Sequence, residues 1–152
     1  MVSGSLIFIL AGTLAHLVLG RWVASPWMLP DVTLIGIGLA VSRSADSITD
    51  LALLAGLLPM VITGRHSWDV GIGYAGAAAL WRWVQSHWDV ADRRLSLGAV
   101  AVLELGLSIW WLNRADAWSA QMWGAVPLRV ASTMAGWAVV GWLSRRHSSR
   151  YA

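Results

Sequence analysis

The sequence has no cysteine and no lysine, and only one phenylalanine, two tyrosines and four prolines in 152 residues. Without cysteine there is no disulfide, no thiolate metal site and no cysteine nucleophile. Without lysine there is no Walker-type phosphate loop and no Schiff-base chemistry, and all eleven basic residues are arginine. Charge of either sign is scarce: 12% of residues are charged, against roughly 25% in soluble domains. A soluble domain of this length leaves roughly a third of its surface in water. It could not hide a chain that is 57% hydrophobic with a mean hydropathy of +0.61. A bilayer removes that difficulty, so the composition points to an integral membrane protein without catalytic chemistry.

Tryptophan is what the chain has in abundance, with twelve residues. Its apolar body and polar N–H suit the boundary between lipid and water. The net charge of +3 comes from arginines dispersed between apolar runs. That distribution fits a cytoplasmic membrane surface and not nucleic acid. The first apolar segment lacks a basic leader region and a small-residue cleavage site, so it reads as a retained helix.

The fold class expected is all-α: a polytopic membrane protein built as a compact bundle of five to six short transmembrane helices. Apolar segments span about 5–19, 31–41, 48–63, 69–88, 95–112 and 117–143. Pro26, Trp27 and Pro30 mark a loop after the first. The second is too short for a straight span, which takes roughly 20 residues, so it reads as a half-span, a tilted helix or one extended beyond its apolar part. Pro127 and Arg129 are expected to interrupt the sixth. Residues 1–144 form one transmembrane domain, and 145–152 form a basic, frayed cytoplasmic tail. Six segments put both termini on one side, with Arg43, Arg93, Arg94, Arg145, Arg146 and Arg150. Arg21, Arg65 and Arg114 lie on the other, which favours a cytoplasmic C-terminus. Trp22, Trp27, Trp68, Trp88, Trp118 and Trp142 flank apolar runs and are expected near the interfaces, with Trp110 and Trp111 near the outer one. Trp81, Trp83, Trp123 and Trp137 are left for lipid or a partner.

Gly71, Gly73 and Gly76 spell a literal G-x-G-x-x-G. A dinucleotide loop would need a strand before it, whereas here the motif lies inside an apolar helix. Close helix packing is the better reading, through Gly71, Gly73, Ala75, Gly76 and Ala79, of which Gly71, Ala75 and Ala79 share one face. Gly36 with Gly38, and Gly136 with Gly141, suggest further close contacts. Glu104 stands midway along the fifth segment, where an unpaired charge is expensive. Arg129 is its expected partner, with Arg82 as a second candidate. A neutralising pair that fixes helix register is preferred to a proton or ion pathway, because relays usually need a chain of titrating groups. The four histidines show no paired spacing for zinc. His16, with Arg21, Trp22, Pro26 and Trp27 after it, has a loose resemblance to light-harvesting β polypeptides, whose membrane histidine ligates bacteriochlorophyll. The His-to-Trp spacing departs from theirs, and an interhelical histidine without pigment is preferred. No metal or cofactor is expected. Asp89 and Asp92 beside Arg93 and Arg94 read as a solvated loop.

Over residues 29–84 the chain resembles the MreD family, the small rod shape-determining membrane proteins of bacteria. The resemblance rests on Pro30 and Asp31 opening a short apolar helix, on Gly56 followed by two leucines, on Gly64, and on Gly71 opening the next helix. The family's acidic position falls on Met60 here, preceded by Pro59. The resemblance implies a compact six-helix protein that binds an MreC-like bitopic partner, helps organise wall elongation and cell shape, and has no cofactor. Two other functions suit the same sequence. One is an accessory structural subunit of another large membrane complex, photosynthetic or respiratory. The other is a small-molecule carrier with the fold of a transporter substrate-binding subunit. Identification of copurifying proteins separates them.

Overall fold

The computed structural model describes residues 4–22, 29–43, 47–62, 68–88, 92–114 and 119–148. The described residues are helical, in the order α1 (Gly4–Gly20), α2 (Val32–Arg43), α3 (Ile48–Ile62), α4 (Trp68–His87), α5 (Arg93–Arg114) and α6 (Ala120–Ser148). Each matches one apolar run of the sequence, so the fold is all-α. Among the described residues one helix, α5, is long and apolar enough to cross a membrane, while α1, α2 and α3 are shorter apolar helices.

Side chains at the breaks start the helices. The Asp31 carboxylate accepts the Leu34 N–H at 2.9 Å and so caps α2. The Ser47 hydroxyl accepts the Asp50 N–H at 3.2 Å and donates back to the Asp50 carboxylate at 2.8 Å, a reciprocal cap on α3. Asp92 accepts the Arg94 N–H at 2.8 Å at the start of α5. Each occupies backbone donors that the first turn leaves without a helical partner.

Two boundaries differ from the sequence reading. Pro127 lies inside α6 and does not end it. A proline removes one backbone hydrogen bond, but Val126, Arg129 and Thr133 are buried on either side and hold the helix through it. The helix then runs on to Ser148, four residues into the stretch read as a frayed tail. Arginine is a good helix former and its charge suits a helix C-terminus. Trp27, Gly64, Arg65, His66 and Trp118 lie outside the described residues.

Consecutive helices run antiparallel, and the contacts show it. A Cβ at Gly12 would lie 2.8 Å from the Val32 carbonyl oxygen, and one at Gly36 would lie 2.6 Å from that of Phe8. The guanidinium of Arg43, at the end of α2, sits 5.5 Å over the Phe8 ring near the start of α1. At the opposite end, Asp69 of α4 pairs with Arg114 of α5 at 2.9 Å. The start of α1 and the end of α6 therefore share one end of the bundle, with Arg43, Arg93 and Arg94.

Helix α2 is the axis. Most of its residues are buried, and it packs on α1, α3, α4 and α6. Leu34, Ile37, Ala40 and Val41 join Ile9, Leu51, Ala77, Trp81 and Leu103 in the apolar core. Trp81 is 2% exposed and meets Trp137 edge-on at 5.1 Å. It is thus a core residue, not one left for lipid or a partner. Trp22, Trp68, Trp83, Trp88, Trp123 and Trp142 are exposed. The exposed large apolar side chains, including Val18, Val61, Ile72, Val102 and Val139, lie on every helix except α2.

Candidate functional site: a buried ion network

Charge is inside this bundle while apolar side chains cover it. The network is built from four elements. Asp31 comes from the start of α2, Tyr74 from α4, Glu104 and Ser108 from α5, and Arg129 and Thr133 from α6. Asp31, Glu104, Ser108 and Thr133 are fully buried, and Arg129 is 5% exposed.

Arg129 bridges the two acids. Its Nε donates to Glu104 Oε1 at 2.6 Å and its Nη2 donates to Asp31 Oδ2 at 3.0 Å. The guanidinium also lies 5.2 Å from the Trp111 ring centroid, a cation–π arrangement. The Tyr74 hydroxyl reaches both Asp31 oxygens, at 2.9 and 3.1 Å, and its ring meets Trp111 edge-on at 5.3 Å. Thr133 Oγ1 accepts the Asp31 backbone N–H at 2.8 Å and lies 3.4 Å from Glu104 Oε2. Ser108, one turn on from Glu104 on α5, donates to Oε1 at 3.3 Å.

The local sequence explains the convergence. Glu104 and Ser108 are four apart, as are Arg129 and Thr133, so each pair lies on one helical face. Asp31 reaches the interior because Leu29 and Asp31 are both buried and α2 begins inside the bundle. Gly136 lets α6 approach: a Cβ there would lie 2.8 Å from Ile35 Cδ1.

Glu104 and Arg129, paired on sequence grounds, therefore stand in direct contact. Arg82, the second candidate partner, does not join them. Its guanidinium donates to the Val41 carbonyl at 3.3 Å, capping the C-terminal end of α2. Trp81 occupies the core-facing position, and Arg82, one residue on, turns away from it. Asp31 and Tyr74 were not read as members. Asp31 entered the sequence reading only as a family marker, and Tyr74 was hidden inside the glycine motif. The available signal was an acid placed directly before an apolar helix and a tyrosine, one of two, within an apolar helix.

The glycine motif divides its work. Gly71 packs on Gly56 of α3, where a Cβ at Gly56 would lie 2.9 Å from the Gly71 carbonyl oxygen and 3.4 Å from Ala75 Cβ. Gly73 faces α5, and a Cβ there would lie 3.1 Å from Leu107 Cδ2 and 3.4 Å from Trp111 Nε1. Gly76 is exposed and has open space around it, so the packing role assigned to it is corrected. Ala79 is half-buried. Gly38 abuts the Trp137 ring, whereas a Cβ at Gly141 would meet nothing within 4 Å. His16 lies on α1, which contributes nothing to the network. Among the described residues, no three His, Cys, Asp or Glu side chains converge as metal ligands.

Comparison of the chain with protein-family models, curated proteins and solved structures finds no match. What fold and site define by themselves is an all-helical bundle whose interior holds an Asp–Arg–Glu network.

Proposed function

We propose that the protein is a multi-pass, non-enzymatic scaffold subunit of a membrane complex, with both termini on the cytoplasmic side of a bacterial inner membrane. The observation that carries the reading is the inversion of polarity: the Asp31–Arg129–Glu104 network is buried at the junction of four elements, while apolar side chains cover the five helices around α2. In lipid an outward apolar face costs nothing. Polar groups must find partners inside, since no water reaches them. The network then fixes the relative depth of α2, α4, α5 and α6, as a bridging arginine can do only in one register. The grouping of Arg43, Arg93 and Arg94 at the end that carries both termini supports the orientation.

The more specific role is that of an MreD-like subunit in wall elongation and cell shape, binding a bitopic MreC-like partner. It rests on the sequence resemblance, whose residues acquire concrete parts here: Pro30 and Asp31 precede α2, Asp31 joins the network, and Gly56 and Gly71 form the α3–α4 contact. An accessory subunit of a photosynthetic or respiratory complex would use the same apolar exterior. A carrier is less well supported. The void between α2, α4 and α5, lined by Ile37, Trp81 and Leu103 among others, measures about 10 Å³. That is room for about one water, whereas ligand pockets run to roughly 300–1,000 Å³.

The test is affinity purification of the full chain in mild detergent. Stoichiometric recovery of a single-span wall-elongation protein supports the MreD-like role. Recovery with pigment or electron-transfer subunits supports the accessory role. A monodisperse monomer without partners overturns the scaffold reading.

A further inference from the structure

The two acids of the network are not served equally. Asp31 Oδ1 accepts the Leu34 N–H at 2.9 Å, and Oδ2 accepts Arg129 Nη2 at 3.0 Å. The Tyr74 hydroxyl adds a third donor at 2.9 Å. Asp31 also stands at the N-terminus of α2, where the helix dipole favours negative charge. Each of these contacts supplies a donor to a carboxylate oxygen. Glu104 Oε1 takes Arg129 Nε at 2.6 Å and Ser108 at 3.3 Å. Its Oε2, in a residue with 0% exposure, accepts one hydrogen bond among the described residues, from the Thr133 hydroxyl at 3.4 Å. A buried carboxylate oxygen left with a single long contact is costly if charged.

The charge count agrees. The charged and titratable groups facing Glu104 are Asp31 from the start of α2, Tyr74 from α4 and Arg129 from α6. With all of the acids ionised, Asp31, Glu104 and Arg129 sum to −1 in a buried site. One added proton makes the sum zero. Thr133 donates to Oε2 while Glu104 is ionised; when the acid is protonated that hydroxyl turns and its oxygen accepts instead, since it carries two acceptor sites and the Asp31 N–H uses one.

We propose that the network is a binding site for one proton, carried by Glu104 on Oε2 and donated to Thr133 Oγ1. The neutral acid still accepts Arg129 Nε on Oε1, while Asp31 keeps its contact with the guanidinium through Oδ2. Loading takes one proton from water and release returns it, with no other bond made or broken. The inference goes beyond the scaffold role: it makes bundle packing sensitive to pH. Release of that proton as pH rises leaves a net charge of −1 buried in the network, so folding stability falls as pH rises.

Infrared spectroscopy of the full-length protein in proteoliposomes at pH 7 tests this. The expected result is a carboxylic-acid C=O band that shifts down in deuterated water, disappears in Glu104→Gln and changes frequency in Thr133→Val. Thermal unfolding supplies the second readout. The wild-type melting temperature should fall from mildly acidic to mildly alkaline pH more steeply than that of Glu104→Gln. Absence of the band in the wild type overturns the proposal, as does a band that survives Glu104→Gln, which would place the proton on Asp31. Should Glu104→Gln fail to fold, an unchanged band in Thr133→Val overturns it alone. Each readout is independent of which partner copurifies, so failure here leaves the scaffold reading standing.

Discussion

Arg129 Nη2 donates to Asp31 Oδ2 at 3.0 Å across 98 residues of sequence, joining α6 to the residue that caps the central helix. The same guanidinium holds Glu104 of α5 through Nε. One side chain thus sets the relative position of three helices, and its removal takes from Asp31 its counter-charge and from Glu104 its closest donor.

Arg129→Ala should therefore destabilise the bundle by about 3–5 kcal/mol, the range for breaking a buried ion pair from one side. Arg129→Lys should recover little of this, because an ammonium cannot present two planar donors to two carboxylates at once. Glu104→Gln should be much milder, since the amide keeps the shape and the hydrogen-bonding oxygen. Unfolding of the three variants in the same detergent gives the order directly. An Arg129→Ala protein as stable as Glu104→Gln would remove the network from its structural role.

Tyr74→Phe isolates one donor. The ring keeps its edge contact with Trp111 at 5.3 Å, while Asp31 loses the hydroxyl at 2.9 Å. The cost should be about 1–3 kcal/mol, the penalty for a buried polar group deprived of a partner. Thermal melts of the variant beside the wild type measure it. A neutral effect would mean that Arg129 and the α2 cap satisfy Asp31 without help.

Much of this was legible in the sequence, for identifiable reasons. Polar breaks between apolar runs locate all six helices, and a lone acid in one run with a lone arginine in another suggests the Glu104–Arg129 contact. Three things were hidden. Depth along a helix does not fix which face a residue occupies, so Arg82 looked like a partner although Trp81 takes the inward position. An acid before a helix reads as an ordinary cap, and Asp31 is a cap as well as a network member. Proline inside a pattern reads as an interruption, but α6 runs through Pro127 with buried residues on both sides.

Topology gives the third prediction. The start of α1 and the end of α6 share one end of the bundle, with Arg43, Arg93 and Arg94. A reporter fused after Ala152 should therefore show cytoplasmic activity, and one inserted between α4 and α5 should behave in the same way. Opposite signals from these two positions would mean that one of the intervening helices does not cross.

The glycines give a paired test within two helices. Gly56 and Gly71 meet at the α3–α4 crossing, and a Cβ at Gly56 would lie 2.9 Å from the Gly71 carbonyl oxygen. Backbone cannot yield as a flexible side chain can, so Gly56→Leu should push the two helices apart. Ala75→Leu should act on the same contact, because Ala75 Cβ lies 3.4 Å from that position and extra bulk in a packed site typically costs about 1–3 kcal/mol. Gly76, one residue further along α4, has no atom within 4 Å of its would-be Cβ. Gly76→Leu should leave the melting temperature nearly unchanged or raise it slightly, since leucine favours helix over glycine by roughly 0.8–1 kcal/mol. The contrast separates crowding at a helix crossing from a general intolerance of bulk on α4. If Gly76→Leu unfolds the protein as readily as Gly56→Leu, the α3–α4 crossing does not limit stability. If it leaves stability intact but abolishes recovery of a partner, the open face at Gly76 belongs to the interface with that partner.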